Sequence, residues 1–405
     1  MGRVVGIFTG NRAEYGLQLP IIRAVDAHPR LDYRLFLAGT HLDPAFGATR
    51  SEVERDNLHI DAEINTAPGG DTLNATPAAI GNSIVGVADA LTRLRPDIFV
   101  VYADRFEGFA ATIAATQMGI PTAHVEGGDV TEGGALDDSV RHAMSKLAHL
   151  HFTTNAPAAN RLLAMGEEAW RVHNVGLPAL DLIAAGDFAP RAEILRDLQL
   201  DPQKPIVIFT LHAIATEHEH AAEQARLALQ ALRLLKKDAA QIIITYPNND
   251  AGGRRIIEVI EEAARDPESG VRVVPSLGRR RYHGLLALAR DADVRVVCVG
   301  NSSSGLKETP ALGCPAVNIG NRQHGRLHAA NLIETGFDPE KIHQAIQRCL
   351  FDDEFRAACR RVENPYGGGN AGARIVETLA TVSLGPTLIQ KRMNLRGEAR
   401  DGWFR

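Results

Sequence analysis

Val4-Val5-Gly6-Ile7-Phe8 runs without a break into Thr9-Gly10-Asn11-Arg12, and a helical apolar pattern follows over 16–27. A β-branched run of strand length, a polar glycine turn and a helix together open a βαβ unit. The alternation then repeats. Apolar runs at 33–38, 97–102, 122–125 and 149–153 read as buried strands, with helix-like stretches at 77–94, 108–118, 137–148 and 156–165 between them. Arg95-Pro96-Asp97 and Gly119-Ile120-Pro121 stop helices just before strands. Alternating strands and helices predict a parallel sheet covered on both faces.

One more strand, 172–175, precedes a Pro-containing polar stretch that ends at Lys204-Pro205. A second series follows, with strands at 206–211, 241–246, 271–274, 294–300 and 316–319, and helices at 217–236, 252–265, 283–290, 304–312, 339–350 and 353–361. The α/β class with two doubly wound, Rossmann-like domains is therefore expected: an N-terminal domain over 1–178 and a C-terminal domain over 179–370. A helix over 371–384 is expected to pack back on the first domain. The basic tail, 385–405, shows little apolar periodicity and reads as a disordered segment. Two such domains would bring their strand ends to one cleft, where ligands of open α/β sheets bind.

Composition narrows the class. The 405 residues are 45% hydrophobic and 23% charged, which sets aside disorder, collagen and coiled coil. A formal net charge of -5 gives no bulk electrostatic grip on nucleic acid. No apolar run approaches the ~20 residues that span a bilayer, so no membrane partner is expected. The opening MGRVVGIFTGNRAEYG reads as a strand rather than a signal peptide. Cys298, Cys314, Cys349 and Cys359 show no CxxC spacing, which fits a reducing cytoplasm.

Several residues stand where chemistry is done. Arg12 sits on the first βα turn, where a helix N-terminus favours anions and a guanidinium adds a phosphate contact. Asp104 follows the 97–102 strand, Glu126 follows the 122–125 strand, and Asp137 and Asp138 open the next helix. An Asp there is an ordinary N-cap taken alone. Three carboxylate-bearing segments together supply acid and base, and crowding would raise one pKa toward neutrality. His124 lies in His124-Val125-Glu126-Gly127-Gly128, whose glycines permit a close approach. His212 ends the 206–211 strand, where a protonated imidazole would steady a leaving diphosphate. Gly300-Asn301-Ser302-Ser303-Ser304-Gly305 runs from a strand end into a helix, a phosphate cradle or a Ser-rich cap. Glu308 lies one turn on, in reach of ribose hydroxyls, and Arg322 ends the neighbouring strand. No metal is expected: in Glu217-His218-Glu219-His220 the histidines are i and i+2, which share no helix face. Neither GxGxxG at the first turn nor GxxxxGK[ST] is present, so NAD chemistry and P-loop hydrolysis lose support.

The set TGNRAEYG, DRFEGFAATIAA, HVEGGDVTEGGALDDSVRHAMSKLAHLHF, GNSSSGLKE and VNIGNRQHGR resembles the hydrolysing UDP-N-acetylglucosamine 2-epimerase family, from about residue 3 to residue 382. The resemblance implies a glycosyltransferase-B type fold and a reaction without cofactor, in sialic or legionaminic acid type pathways. UDP leaves by anti elimination with loss of the C2 proton. Water then adds to the bound 2-acetamidoglucal with the opposite C2 configuration, giving N-acetylmannosamine. By motif, the resemblance assigns Asp104, Glu126 and Asp137 as the acid and base groups and places His212 near the diphosphate. It assigns nucleotide contacts to Arg12, Ser302, Ser303, Glu308 and Arg322, and a homodimer or homotetramer is expected. Where the family commonly has His-Gly before the Asp of DRF, this chain has Tyr102-Ala103-Asp104. That departure keeps a second substrate open, a 2,4-diacetamido-trideoxy sugar (N,N'-diacetylbacillosamine) on UDP or GDP. A glycosyltransferase using the same fold, or a nucleotide-sugar-binding regulator, would not need the carboxylate trio.

Overall fold

A computed structural model describes residues 2–42, 49–66, 74–131, 136–247, 252–266 and 270–394, with the side chains of Arg12, Ala13, Thr40 and Ala215 left aside. Two compact units emerge. Unit 1 comprises Met1–Asp129, Leu136–Ala179 and the described part of Asn370–Arg405; unit 2 comprises Leu180–Gly369 with Val130 and Thr131.

Unit 1 carries β1 (Arg3–Thr9), β2 (Leu31–Ala38), β3 (Ala62–Ile64), β4 (Ile98–Tyr102), β5 (Thr122–Val125), β6 (Leu150–Thr153) and β7 (Val172–Asn174). They form one parallel sheet in the order β3-β2-β1-β4-β5-β6-β7. Unit 2 carries β8 (Ile206–Thr210), β9 (Gln241–Ile244), β10 (Val271–Val273), β11 (Val296–Gly300), β12 (Ala316–Ile319) and β13 (Leu332–Thr335). Their parallel order is β10-β9-β8-β11-β12-β13. Each order reverses direction once, at β1/β4 and at β8/β11, and the crevice of a doubly wound sheet opens at that switch point. The central strands are buried on both faces, as their unbroken apolar runs require.

The α/β reading holds, with local differences. β3 and β13 were not expected: both are short edge strands whose Ala-Glu-Ile and Leu-Ile-Glu-Thr lack a long apolar run. The first helix begins at Arg12, four residues earlier than its apolar pattern, because Asn11 caps it and accepts from the Glu14 amide at 3.0 Å. The helix expected over 217–236 is regular only from Ala221 to Arg233. Glu217 takes φ -126° in a preceding 3₁₀ turn that holds His218 and His220 exposed. The helix expected over 304–312 ends at Lys307 and resumes as a 3₁₀ turn over Thr309–Leu312. Pro310 lacks the N–H and disfavours α conformation just before it. The tail also departs from expectation. Pro386–Ile389 is helical and residues 390–394 are docked on unit 1; 395–405 lie outside the described residues.

Candidate active site

In unit 1 the chain leaves β4 through Ala103, at φ 55°, and leaves β5 through Glu126, at φ 65°. Neither is glycine, so both positions store backbone strain of about 1 kcal/mol or more, as functional sites do. Glu126 is buried, its amide bonded to the Phe152 carbonyl at 2.8 Å. Tyr102, also buried, donates its hydroxyl to Glu126 Oε2 at 2.5 Å. The tyrosine that departs from the family pattern is thus a partner of a candidate catalytic carboxylate. Asp104 pairs with Arg141, whose side chain is 1% exposed and whose guanidinium also meets Asp138 Oδ1 at 3.2 Å. Asp137 lies in the first turn of the helix Leu136–Leu147, exposed, one residue from Asp138. A carboxylate in that first turn also complements the helix dipole.

His124 is a brace. Its Nε2 donates to the Ala103 carbonyl at 2.7 Å, leaving Nδ1 to meet the Ser145 hydroxyl at 3.0 Å. Full burial drives it down to about 3, so the ring is neutral. The glycines beside it serve packing: a Cβ on Gly127 would lie 2.8 Å from His124 Nδ1 and Ser145 Oγ, and one on Gly128 would lie 2.4 Å from the Ala158 carbonyl. Arg12 opens the helix Arg12–Asp26 at the end of β1, and its side chain falls outside the described residues.

Glu14 is a further buried carboxyl of unit 1, not among the three expected from the sequence. Burial and then the neighbouring Glu107 charge raise it to about 8. Glu14 Oε2 accepts from the Gly10 amide at 2.8 Å. Glu107 is buried behind Gly10, where a Cβ would lie 2.9 Å from Glu107 Cβ.

In unit 2 the switch point is tied by one side chain. Asn301 accepts from the His212 amide at 2.7 Å and donates to the His212 carbonyl at 2.9 Å, joining the ends of β8 and β11. Gly300 permits this: at φ 134°, a Cβ would stand 1.9 Å from the Thr210 carbonyl oxygen. Arg322 Nη1 and Gln323 Nε2 both donate to the Asn301 carbonyl, at 3.1 and 2.8 Å. Ser302 and Ser303 lead into the short helix Ser304–Lys307, half-buried, with Ser302 Oγ accepting from the Ser304 amide at 3.4 Å. Glu308 is gripped on both oxygens, by His283 Nε2 at 3.2 Å and by the Ser304 hydroxyl. Burial alone would push its carboxyl up, but His283, Ser304 and Lys307 together hold it below the usual range. His212, Ser302, Ser303 and Arg322 thus sit around the ends of β8, β11 and β12, with Glu308 braced one turn further on.

Sequence reasoning gave no role of their own to Arg141, Asn301, His283 or the pair Glu14 and Glu107. Arg141 had a signal, standing three residues after Asp138 on a helix, where opposite charges meet. Asn301 and His283 had none, since their partners are distant in sequence. Among the described residues no group of three or more His, Cys, Asp or Glu gathers as a metal site, and no helix is long and apolar enough to cross a membrane.

Comparison with known proteins now adds to this geometry. The family described as UDP-N-acetylglucosamine 2-epimerase matches residues 23–380. A UDP-N,N'-diacetylbacillosamine 2-epimerase (hydrolyzing) of Legionella pneumophila is 31% identical over 391 residues, covering 96% of this chain and 99% of its own. A UDP-N-acetylglucosamine 2-epimerase of Neisseria meningitidis is 30% identical over 370 residues, covering 91% and 92%. The crystal structure of a Neisseria meningitidis UDP-GlcNAc 2-epimerase bound to UDP-GlcNAc has the same fold, with a TM-score of 0.78 at 20% identity over 93% of this chain and 99% of that one.

Proposed function

The chain belongs to the UDP-N-acetylglucosamine 2-epimerase family, and we propose that it hydrolyses UDP-N-acetylglucosamine to UDP and N-acetylmannosamine with inversion at C2. The observation that carries this reading is the pair of differently furnished switch points. Unit 1 ends β4 and β5 in carboxylates, with Asp104 fixed by buried Arg141 and Glu126 by Tyr102. Unit 2 ends β8, β11 and β12 in His212, serines and Arg322 around Asn301.

The chemistry divides accordingly. Elimination needs a base for the C2 proton and a cationic or donor environment for the departing UDP. Hydration needs an acid and a base for the returning proton and the water. Asp104, Glu126 and Asp137 supply the proton-transfer groups. His212, Arg12 and Arg322, with Ser302 and Ser303, supply diphosphate contacts, and Glu308 accepts from ribose hydroxyls. No cofactor takes part, because the C2 proton is lost as UDP departs and a proton is regained on hydration, without net redox change. The family resemblance supports the further reading of a cytoplasmic, homo-oligomeric enzyme in a sialic or legionaminic acid type route.

A second substrate, N,N'-diacetylbacillosamine on UDP or GDP, is favoured by the Legionella relative at 31% identity, and Tyr102 in place of the family's His keeps the sugar pocket open to it. Incubation with each UDP-sugar, with products read by NMR, tests both readings. Release of UDP with a 2-epimeric amino sugar from either substrate, with no acceptor present, supports the assignment. Turnover only with an acceptor would make the chain a glycosyltransferase.

A further inference from the structure

The segment 385–394 is fastened to unit 1 through backbone carbonyls and one ammonium. Arg171, fully buried, donates to the carbonyls of Leu388 at 2.7 Å, Thr387 at 2.8 Å and Gln390 at 3.2 Å. The Asn394 amide bonds the Gly166 carbonyl at 2.9 Å. Between these anchors Lys391 turns inward, its side chain 16% exposed. Its Nζ donates to the carbonyls of Ala148 at 2.7 Å, Lys146 at 2.8 Å and Ser145 at 3.2 Å, and pairs with Glu167 Oε2 at 2.8 Å.

Three of those four partners belong to one helix end. Ser145 and Lys146 lie in the last turn of the helix Leu136–Leu147, and Ala148 follows it. The last four carbonyls of a helix have no intrahelical donor, and the dipole there favours a cation. Lys391 therefore acts as a C-terminal cap supplied from far along the chain. Glu167 reinforces it, also binding Lys146 Nζ at 2.6 Å and His151 Nε2 at 2.9 Å. The ammonium faces Glu167, Lys146, Arg171, His149 and His151, and burial, opposed by Glu167, brings it down to about 8. It is thus still charged at neutral pH.

The first turn of the same helix carries Asp137 and Asp138, and Arg141 at its middle pairs with Asp104. In the capped last turn itself, Ser145 meets His124, which bonds the Ala103 carbonyl next to Asp104. A helix is stiff along its axis, so a shift at its C-terminus reaches both contacts.

We propose that Lys391 is a positioning residue for the epimerisation: by capping the helix Leu136–Leu147 it fixes where Asp137 and Arg141 stand beside Asp104. The inference rests on the functional reading above. A tail that merely added stability would need no ammonium on this helix end, and burying one costs several kcal/mol unless it is well paired.

The test uses the full chain with Lys391→Met and Lys391→Arg. It measures hydrogen exchange over peptides spanning 136–148, steady-state kinetics with UDP-N-acetylglucosamine, and UDP affinity by calorimetry. For Lys391→Met, exchange in that helix rises about tenfold through local opening. Its kcat falls about tenfold, because small misplacements of catalytic groups are costly, while KM and UDP affinity stay within about twofold. Lys391→Arg keeps the cation and donors and recovers most of kcat. If Lys391→Met does not fold, Lys391→Gln, neutral but still a donor, takes its place in the same comparison. Unchanged exchange and kcat in the neutral variant overturn the proposal. So does a general loss of stability in which kcat and UDP affinity fall together. If the wild type turns over no nucleotide sugar, the functional reading fails, and exchange in the helix alone decides the role of Lys391.

Discussion

At the end of β4 the chain carries Ala103 and Asp104; at the equivalent end of β11 it carries Asn301 and Ser302. Both positions flank the point where a doubly wound sheet reverses its strand order. In unit 1 the surroundings are charged and buried, with Arg141 on Asp104, Tyr102 on Glu126, and Glu14 beside Glu107. In unit 2 they are an asparagine stitching two strand ends, serines leading into a four-residue helix, and the Arg322 guanidinium on the Asn301 carbonyl. The same topology thus presents buried carboxylates in one unit and amide, hydroxyl and guanidinium donors in the other. What differs is side chains at loop positions, which the sheets hold but do not dictate.

The sharpest way to break this contrast is to neutralise the unit 1 carboxylates. Asp104→Asn, Glu126→Gln and Asp137→Asn should each lower kcat at least about 100-fold, the usual scale for general acid-base groups. UDP affinity by calorimetry should stay within about twofold, as the proposed nucleotide contacts other than Arg12 lie in unit 2. Collapse of UDP affinity with kcat intact would exchange the roles of the units.

The converse change comes next in size. Arg322→Ala and Ser302→Ala should chiefly weaken UDP binding, Arg322→Ala by about 1.5–3 kcal/mol for a lost charge-assisted contact. Calorimetry that finds both variants binding UDP like the wild type removes these residues from the nucleotide site.

Glu14 sharpens the electrostatic side. Its folded pKa, about 8, lies above the ordinary carboxylate value. Below the unfolded pKa both states hold the proton. As pH rises toward 8 only the folded state keeps it, so this group's contribution to stability declines across that window. Glu14→Gln removes the decline. Urea unfolding at pH 5.5 and pH 8.5 should show the variant gaining at least about 1 kcal/mol on the wild type at the higher pH. A constant difference between the two proteins contradicts the burial of a protonated Glu14.

The smallest effect concerns backbone strain at Ala103. With φ 55°, Ala103→Gly should raise stability by about 0.5–1 kcal/mol, the relief of a left-handed alanine less the added freedom of the unfolded chain. A lowered melting temperature would mean that the Ala103 methyl group packs more usefully than the strain costs.

The architecture was legible because strand-length apolar runs alternate with helical patterns from Val4 onward, and Pro and Gly punctuate them. Asp104, Glu126, His212, Ser302 and Arg322 were legible because residues just past a strand's C-terminal end lie where such folds bind ligands. Legibility stopped where partners are remote. Nothing near Asn301 announces that it joins β8 to β11, and nothing near Lys391 announces a helix end more than 240 residues earlier. The edge strands β3 and β13 escaped notice because a short strand bordering solvent needs no apolar run. The tail read as disordered because its anchors are backbone carbonyls, one lysine and the single buried Leu388, which leave no hydrophobic period.

The central claim is that the unit 1 carboxylates make and break a bond to hydrogen at C2. Hydrolysis at the anomeric carbon alone would leave that bond intact. The direct measurement is turnover of UDP-N-acetylglucosamine in D2O, with prompt NMR of the released sugar. The account predicts N-acetylmannosamine carrying deuterium at C2, because the proton taken in elimination exchanges with solvent before hydration, or a different group delivers the new one. A released sugar that keeps its original C2 hydrogen and configuration would contradict it and leave a simple nucleotide-sugar hydrolase.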